Sequence, residues 1–480
     1  MAKLNFLQLM CFLVMAGPLS GQEYWDTLPP ASDLVSSANM IMDEPDEAEL
    51  KPDAQKALEE RIAKLEKANA ETAAAKKKLP SVSMNGVFQA DAVTFGQSAA
   101  SLDAHGDIQN GADFRRARLS AKGSVVENMN YFMQMDFGFF GRPTFTDVWT
   151  EFTDVPLLGK VRVGQWKQPF GLEVVSSFRY TTMMERSSTF QAFTPFRGIG
   201  VGFYDNSDDL NTTWAASYFR TGQDQFGGSL STNGGNGMAS RLTHLMWYES
   251  GGENYLHLGG GYFYNVPPNN TARFRSIPEI FVGEFVPNGI GTSGQATPAL
   301  ANGTPFFVNT GLLGDTNHVN TYGLESLWVH GPLSVQAEGM AAMVDQSSLP
   351  TSLLSGGYAT VGYFLTGEHR PYDRKAGAID RVIPKANVTR CGGFGAWELA
   401  ARWSYIDLTD NLIRGGTMQN MTAGVNWYTN PYCKFVFNYI HSWSDSPDFI
   451  GVVANAPAFD NSRLVSNQTD AFGIRCQLDF

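Results

Sequence analysis

Arg116, Arg118 and Lys122 share one parity in a stretch where the residues between them, Ala117, Leu119 and Ala121, are apolar. On a β-strand that parity puts the three cations on one face and the apolar side chains on the other. Cations in file along an aqueous passage replace the hydration a small anion loses in a narrow pore. Arginine suits phosphate oxygens because its planar fork donates two bonds at once. Arg115 falls on the apolar parity, so either a bulge turns it inward or it snorkels at a membrane interface. More cations gather in two long polar stretches. Lys167, Arg179, Arg186 and Arg197 outnumber Glu173 and Glu185 in one. Arg370, Arg374, Lys375, Arg381, Lys385 and Arg390 outnumber Glu368, Asp373 and Asp380 in the other. For each, the alternative to an anion site is a solvated charge or a salt bridge that holds a loop down.

The elements that must carry these residues are strands. From Val82 onward apolar residues alternate with polar ones. In the final segment Phe472, Ile474, Cys476, Leu478 and Phe480 share one face; Ala471, Gly473, Arg475, Gln477 and Asp479 share the other. The segments around Tyr131–Phe137, Trp397–Tyr405, Met421–Trp427 and Cys433–Tyr439 repeat the pattern, with Glu398, Glu338, Asp136 and Asp479 on the polar parity. Only 17% of residues are charged, against about 25% in soluble proteins. Beyond the N-terminus no run of about 20 apolar residues could form a membrane-spanning helix. Aromatics cluster at strand ends, as interface girdles do, and short connections alternate with long polar ones. Together these predict an all-β transmembrane antiparallel barrel of about 16 strands over residues 80–480. The long stretches near Gly96–Asp113, Lys167–Arg197, Thr221–Gly237, Asn265–His318 and Ser444–Ser466 are expected outside, and Thr366–Gly393 is a basic periplasmic stretch too long for a turn.

The first 79 residues read differently. Lys3 followed by the apolar Leu7–Met15 and small residues to Gly21 predicts a signal peptide over 1–21 and export. Residues 22–53 are acidic and rich in Pro and small residues, an expected disordered linker. Residues 54–79 are Ala- and Glu-rich, and Leu58, Ile62, Leu65 and Asn69 keep coiled-coil spacing, so a helix that self-associates or meets a periplasmic partner is expected. Past the leader the odd count of Cys391, Cys433 and Cys476 is neither a disulfide framework nor a zinc signature. Cys433 and Cys476 read as lipid-facing residues whose register is offset for pairing. No cofactor, metal or nucleic-acid partner is expected. The formal charge is −12. The first 78 residues hold nine basic and thirteen acidic side chains, so the barrel is acidic overall and any anion preference must come from a local constriction.

Several motifs resemble the phosphate-selective porin O and P family: Phe114-Arg115-Arg116-Ala117-Arg118-Leu119; Arg162-Val163-Gly164-Gln165-Trp166-Lys167-Gln168-Pro169-Phe170-Gly171-Leu172-Glu173; Met184-Glu185-Arg186-Ser187; Phe364-Leu365-Thr366-Gly367-Glu368-His369-Arg370; and Gly395-Ala396-Trp397-Glu398-Leu399-Ala400. The match runs in order from about Val82 to Phe480. It implies a 16-stranded homotrimeric porin in the outer membrane, with a pore lined by Arg and Lys and narrowed by infolded loops. By that resemblance Lys167–Arg197 is the constricting loop, Asn265–His318 a second infolded loop, and Thr366–Gly393 a periplasmic turn entering the pore. Arg179 stands where the family's Ser-Ser-basic-aromatic stretch carries a cation, although Phe178 intervenes. The expected pore residues are therefore Arg115, Arg116, Arg118, Lys122, Arg162, Lys167, Arg179, Arg186, Arg370, Arg374 and Lys385, passing small anions such as phosphate. The competing readings are a general or sugar-type porin, and a structural barrel tethered through its coil. An enzyme is not expected, because none of the seven histidines falls in a Ser-His or metal-ligand motif.

Overall fold

A computed structural model describes Lys64 and residues 79–480, apart from 139–142, 223–227, 229, 284–302, 391 and 454–455. The expected leader, linker and coil, and Cys391, lie outside the described residues, Lys64 excepted.

Sixteen antiparallel strands close into one barrel in chain order. They are β1 (Ser83–Gln97), β2 (Gly111–Val126), β3 (Met129–Asp136), β4 (Thr144–Val155), β5 (Gly159–Lys167) and β6 (Arg197–Asn206). Next come β7 (Thr212–Arg220), β8 (Asn236–Glu249), β9 (Asn254–Val266), β10 (Thr316–His330) and β11 (Leu333–Gln346). The circuit ends with β12 (Leu349–Phe364), β13 (Ala396–Asp410), β14 (Ile413–Asn430), β15 (Cys433–Val453) and β16 (Ala456–Asp479). β1 pairs with β16 from Val87 opposite Asp479 to Gln97 opposite Thr469, so no edge is left.

The two faces follow the alternation. Leu119, Met133, Phe145, Phe203, Leu242, Leu324, Leu399 and Phe472 are exposed on the outer wall. Asp136, Glu338, Glu398, Arg402, Arg475 and Asp479 are buried on the inner one. At one rim Trp397, Trp427 and Phe435 stack in a row, with centroids 5.3 and 5.5 Å apart. Both indole N–H groups donate to the Phe394 carbonyl, the arrangement of an interface girdle. The terminal Phe480 ring lies over Gly86 on β1, where any side chain would collide with it. Its backbone bonds Gly86 in both directions.

Three expectations need correction. Ser444–Ser466 is not a loop: Ser444 pairs with Asn467, and β15 and β16 run on together beyond it. Two connections on the side of the long loops, between β11 and β12 and between β13 and β14, are two-residue turns. The lumen is also less polar than alternation implied. Phe170 and Phe193 from the segment between β5 and β6 pack with Phe274 and Phe307 from the segment between β9 and β10, against inward-facing Phe219, Phe263, Val319, Met340, Leu354, Ile406 and Met418. Infolded chain gives these walls something apolar to cover. Cys433 sits opposite Leu478 and Cys476 opposite Phe435, and neither is in a disulfide.

Leu324, near the middle of β10 and 65% exposed, tests the lipid face. Leu324→Arg should cost about 2–4 kcal/mol of folding free energy in phospholipid vesicles, measured by urea titration. A change near zero would refute the assignment of that face.

Candidate functional site

Gly171 turns the chain after β5 into the lumen. Its φ is 78°, and a Cβ there would strike Glu338 from the opposite wall. The short helix α1 (Leu172–Val175) follows. The Glu338 carboxylate accepts from the first two N–H groups of this helix, Leu172 and Glu173, each at 2.8 Å, the polarity expected for an anion at a helix start. Tyr358 donates to the same carboxylate at 2.5 Å. Further along, Met184 N–H donates to Asn438 on β15 at 2.8 Å, and Ser188 N–H to Glu279 at 2.7 Å. The segment between β5 and β6 therefore crosses the lumen and is tied down at intervals, as a constricting loop must be.

Two groups of cations flank it. Arg118, Arg186 and Arg197 all lie within electrostatic reach of Lys167. Arg118 bonds Asp136 at 2.6 Å and Arg197 bonds Asp147 at 2.7 Å. The other two bond only carbonyls. Lys167 Nζ donates to Val174, Val175 and Ser176 oxygens at 2.6, 3.0 and 2.8 Å, around the helix C-terminus. Arg186 donates to the Glu173 and Ser176 carbonyls at 2.6 and 3.1 Å. Burial lowers the Arg186 guanidinium to about 10 despite Glu173 nearby, so it stays charged at neutral pH. Of these four, only Arg118 and Arg197 bond a carboxylate among the described residues, while Glu173 and Glu185 act on Arg186 through space.

In the second group Glu185 receives Arg115 at 2.9 Å, Arg116 at 3.5 Å and Arg475 at 2.7 Å. Arg475 also bonds Asp91 at 2.6 Å. Gln89 faces Arg116 while the next residue, Ala90, faces Phe114, so Arg115 is the extra residue of a bulge. That bulge, not snorkelling, turns Arg115 inward. Burial would raise the Glu185 carboxyl, but Arg115, Arg116 and Arg475 outweigh it and hold it well below the usual range. The Phe178 ring that interrupts the expected motif carries Arg116 and Arg118 at 4.8 and 4.5 Å from its centroid.

Other expected pore residues hold parts of the chain together. Arg370 is 2% exposed, bonded to Glu398 and to Thr182. Arg374 bonds the Asp209 carbonyl and the Asn211 side chain over the Tyr248 ring. Lys385 donates to the Gly367 carbonyl at 2.6 Å. Arg370 and Arg374 anchor the 365–395 connection and Lys385 braces it internally; its backbone reaches the constricting segment where Ile379 N–H meets the Ser176 hydroxyl at 3.0 Å. Arg179 lies 3.7 Å from Asp479, which Arg381 also bonds. Arg162 bonds Glu151 at 2.5 Å. Lys122 is exposed toward a cavity of about 420 Å³ along the β1–β4 wall.

Arg402 escaped the candidate set. It bonds Glu279 at 2.6 Å, lies 3.7 Å from Glu173, and donates to the Glu185 carbonyl at 3.0 Å. Inward parity between Ala401 and Trp403 was its signal. Arg275, stacked 4.2 Å over Phe306 in the segment after β9, left no periodic signal at all.

Glu185 bears three guanidinium groups, so Glu185→Gln should lower folding stability by about 3–5 kcal/mol and add conductance noise as the segment loosens. Because the folded carboxyl is held below its unfolded value, its stabilisation is full above about pH 4.3. It is lost only as pH falls through the lower folded value. Wild-type channels should therefore stay quiet down to about pH 4 in single-channel recordings.

The chain is similar to known channels. A sequence model described as phosphate-selective porin O and P matches residues 82–480. "Porin O" of Pseudomonas aeruginosa is 26% identical over 367 residues, 71% of this chain and 78% of that protein. An uncharacterised protein of Caulobacter vibrioides is 26% identical over 342 residues, 68% of this chain and 62% of that one. Among solved structures, an anion-selective porin from Comamonas acidovorans overlaps 83% of this chain and 99% of its own at 10% identity, with a TM-score of 0.49. OmpT of Vibrio cholerae covers the same shares at 11% identity, with a TM-score of 0.47. With the match spanning the whole barrel, the chain belongs to the phosphate-selective porin O and P family of outer-membrane channels.

Proposed function

We propose that the barrel passes small inorganic anions, phosphate among them, across the outer membrane by diffusion past the constriction. The observation that carries this is the pair Lys167 and Arg186, whose hydrogen bonds go to carbonyl oxygens while Glu173 acts on Arg186 only through space. Carbonyls orient a cation without neutralising it, so its field remains available to a passing ion. Arg118 and Arg197, each with one carboxylate, extend the group along the wall. The acidic total of the chain does not oppose this, since Asp91, Asp136, Asp147, Glu185, Glu325 and Glu398 are each bonded to an arginine. A homotrimer, a cleaved leader over 1–21 and a periplasmic helix over 54–79 belong to the same reading, on the strength of the family and the N-terminal sequence.

Planar-bilayer recording in a KCl gradient tests the proposal. The reversal potential should show chloride preferred to potassium, and micromolar phosphate should block the chloride current. Arg186→Gln should lower the chloride-to-potassium permeability ratio about fivefold, the roughly 1 kcal/mol of one charge a few ångströms from an ion in watery surroundings. A cation preference in the wild type would overturn the proposal. Anion preference without phosphate block would leave a general anion pore.

A further inference from the structure

The cavity along the β1–β4 wall, about 420 Å³, is the size of a small-molecule site. Its lining is not what inorganic anions require. Phe132 on β3 and Trp149 on β4 are register partners and stack with centroids 5.7 Å apart at 25°. The Arg162 guanidinium lies 4.1 Å from the Trp149 centroid. Glu151, the one carboxylate in the lining, is occupied by Arg162 through Nε at 2.9 Å and Nη2 at 2.5 Å. Lys122 stands directly across from Phe132 in the register of β2 and β3. It is exposed, and its ammonium bonds no carboxylate or carbonyl among the described residues. The site thus combines an aromatic shelf, a free ammonium at its edge, and a neutralised acid behind it.

A hydrated phosphate or chloride gains little from two rings. A neutral sugar could lie on the rings but gains nothing from the ammonium. An anion with a flat apolar body uses both, by stacking on the shelf and pairing with the cation. We propose that this wall is a subsite for aromatic carboxylates, the ring lying against Phe132 and Trp149 and the carboxylate meeting Lys122. The inference rests on the anion-channel reading, and widens its substrate class from inorganic to organic anions.

Single-channel chloride current tests it, with benzoate, cyclohexanecarboxylate, acetate or glucose added in turn on the side of the short turns. Benzoate should halve the current at a concentration about tenfold below that of acetate and severalfold below that of cyclohexanecarboxylate; glucose should do nothing. Trp149→Leu keeps the wall apolar, and should raise the half-blocking benzoate concentration about tenfold while leaving the reversal potential as it was. Lys122→Gln should weaken benzoate block by a similar factor, and Lys122→Arg should restore it. Equal block by benzoate and cyclohexanecarboxylate, or benzoate block unchanged in Trp149→Leu, would overturn the subsite. Block by glucose comparable with that by benzoate would also overturn it, in favour of a sugar shelf. A cation-selective reversal potential in the unblocked wild type is a separate result, and would remove the anion pore itself.

Discussion

Every backbone N–H and C=O at membrane depth needs a partner within the protein, because lipid offers none. Pairing β1 with β16 meets that constraint for the last two open edges. The seam is reinforced on both faces. Outside, the Phe480 ring covers Gly86. Inside, Arg116 donates to Gln89 and Gln89 to Gln477, both at 2.7 Å, while Arg475 grips Asp91. Closure makes an interior wide enough to admit chain, and all later features of the pore depend on it.

What fills that interior is decided by desolvation. A segment leaving the wall must satisfy its own polar groups, and buried carboxylates do much of this work. Glu338 receives a helix start, Glu279 the Ser188 N–H, and Glu173 both the N–H and the hydroxyl of Ser187. Acids paired with an arginine are cancelled as charges and repel an anion little. An acidic chain can thereby present basic groups at its constriction, because most of its inner acids face protein instead of water. Lys167 and Arg186 brace the constricting segment through carbonyls, and Arg186 stays charged there.

The connection between β12 and β13 shows a second use of inward cations. Arg370, Arg374 and Arg381 fasten it to three parts of the wall, while Arg241 donates to the Gly377 carbonyl at 2.7 Å. A basic stretch that looks like a pore lining is thus in good part an anchor. Charge composition alone does not separate these roles, since a salt bridge and an anion site draw on the same residue types.

Sequence by itself determined the barrel, the two faces of its strands and the family, because a period of two persists whatever the chain packs against. It also placed Arg116 and Arg118 on the inner face, and named the segment that crosses the lumen. Only the tertiary structure decided that Arg115 turns in through a bulge, that β15 and β16 run on past Ser444 and Asn467, and that Arg370 and Arg374 are anchors while Lys167 and Arg186 bond carbonyls. Those outcomes depend on which carboxylate or carbonyl lies within about 3 Å of each cation. That distance is set by partners far away in the sequence, such as Glu185 for Arg115 and Glu398 for Arg370, and no local pattern encodes it.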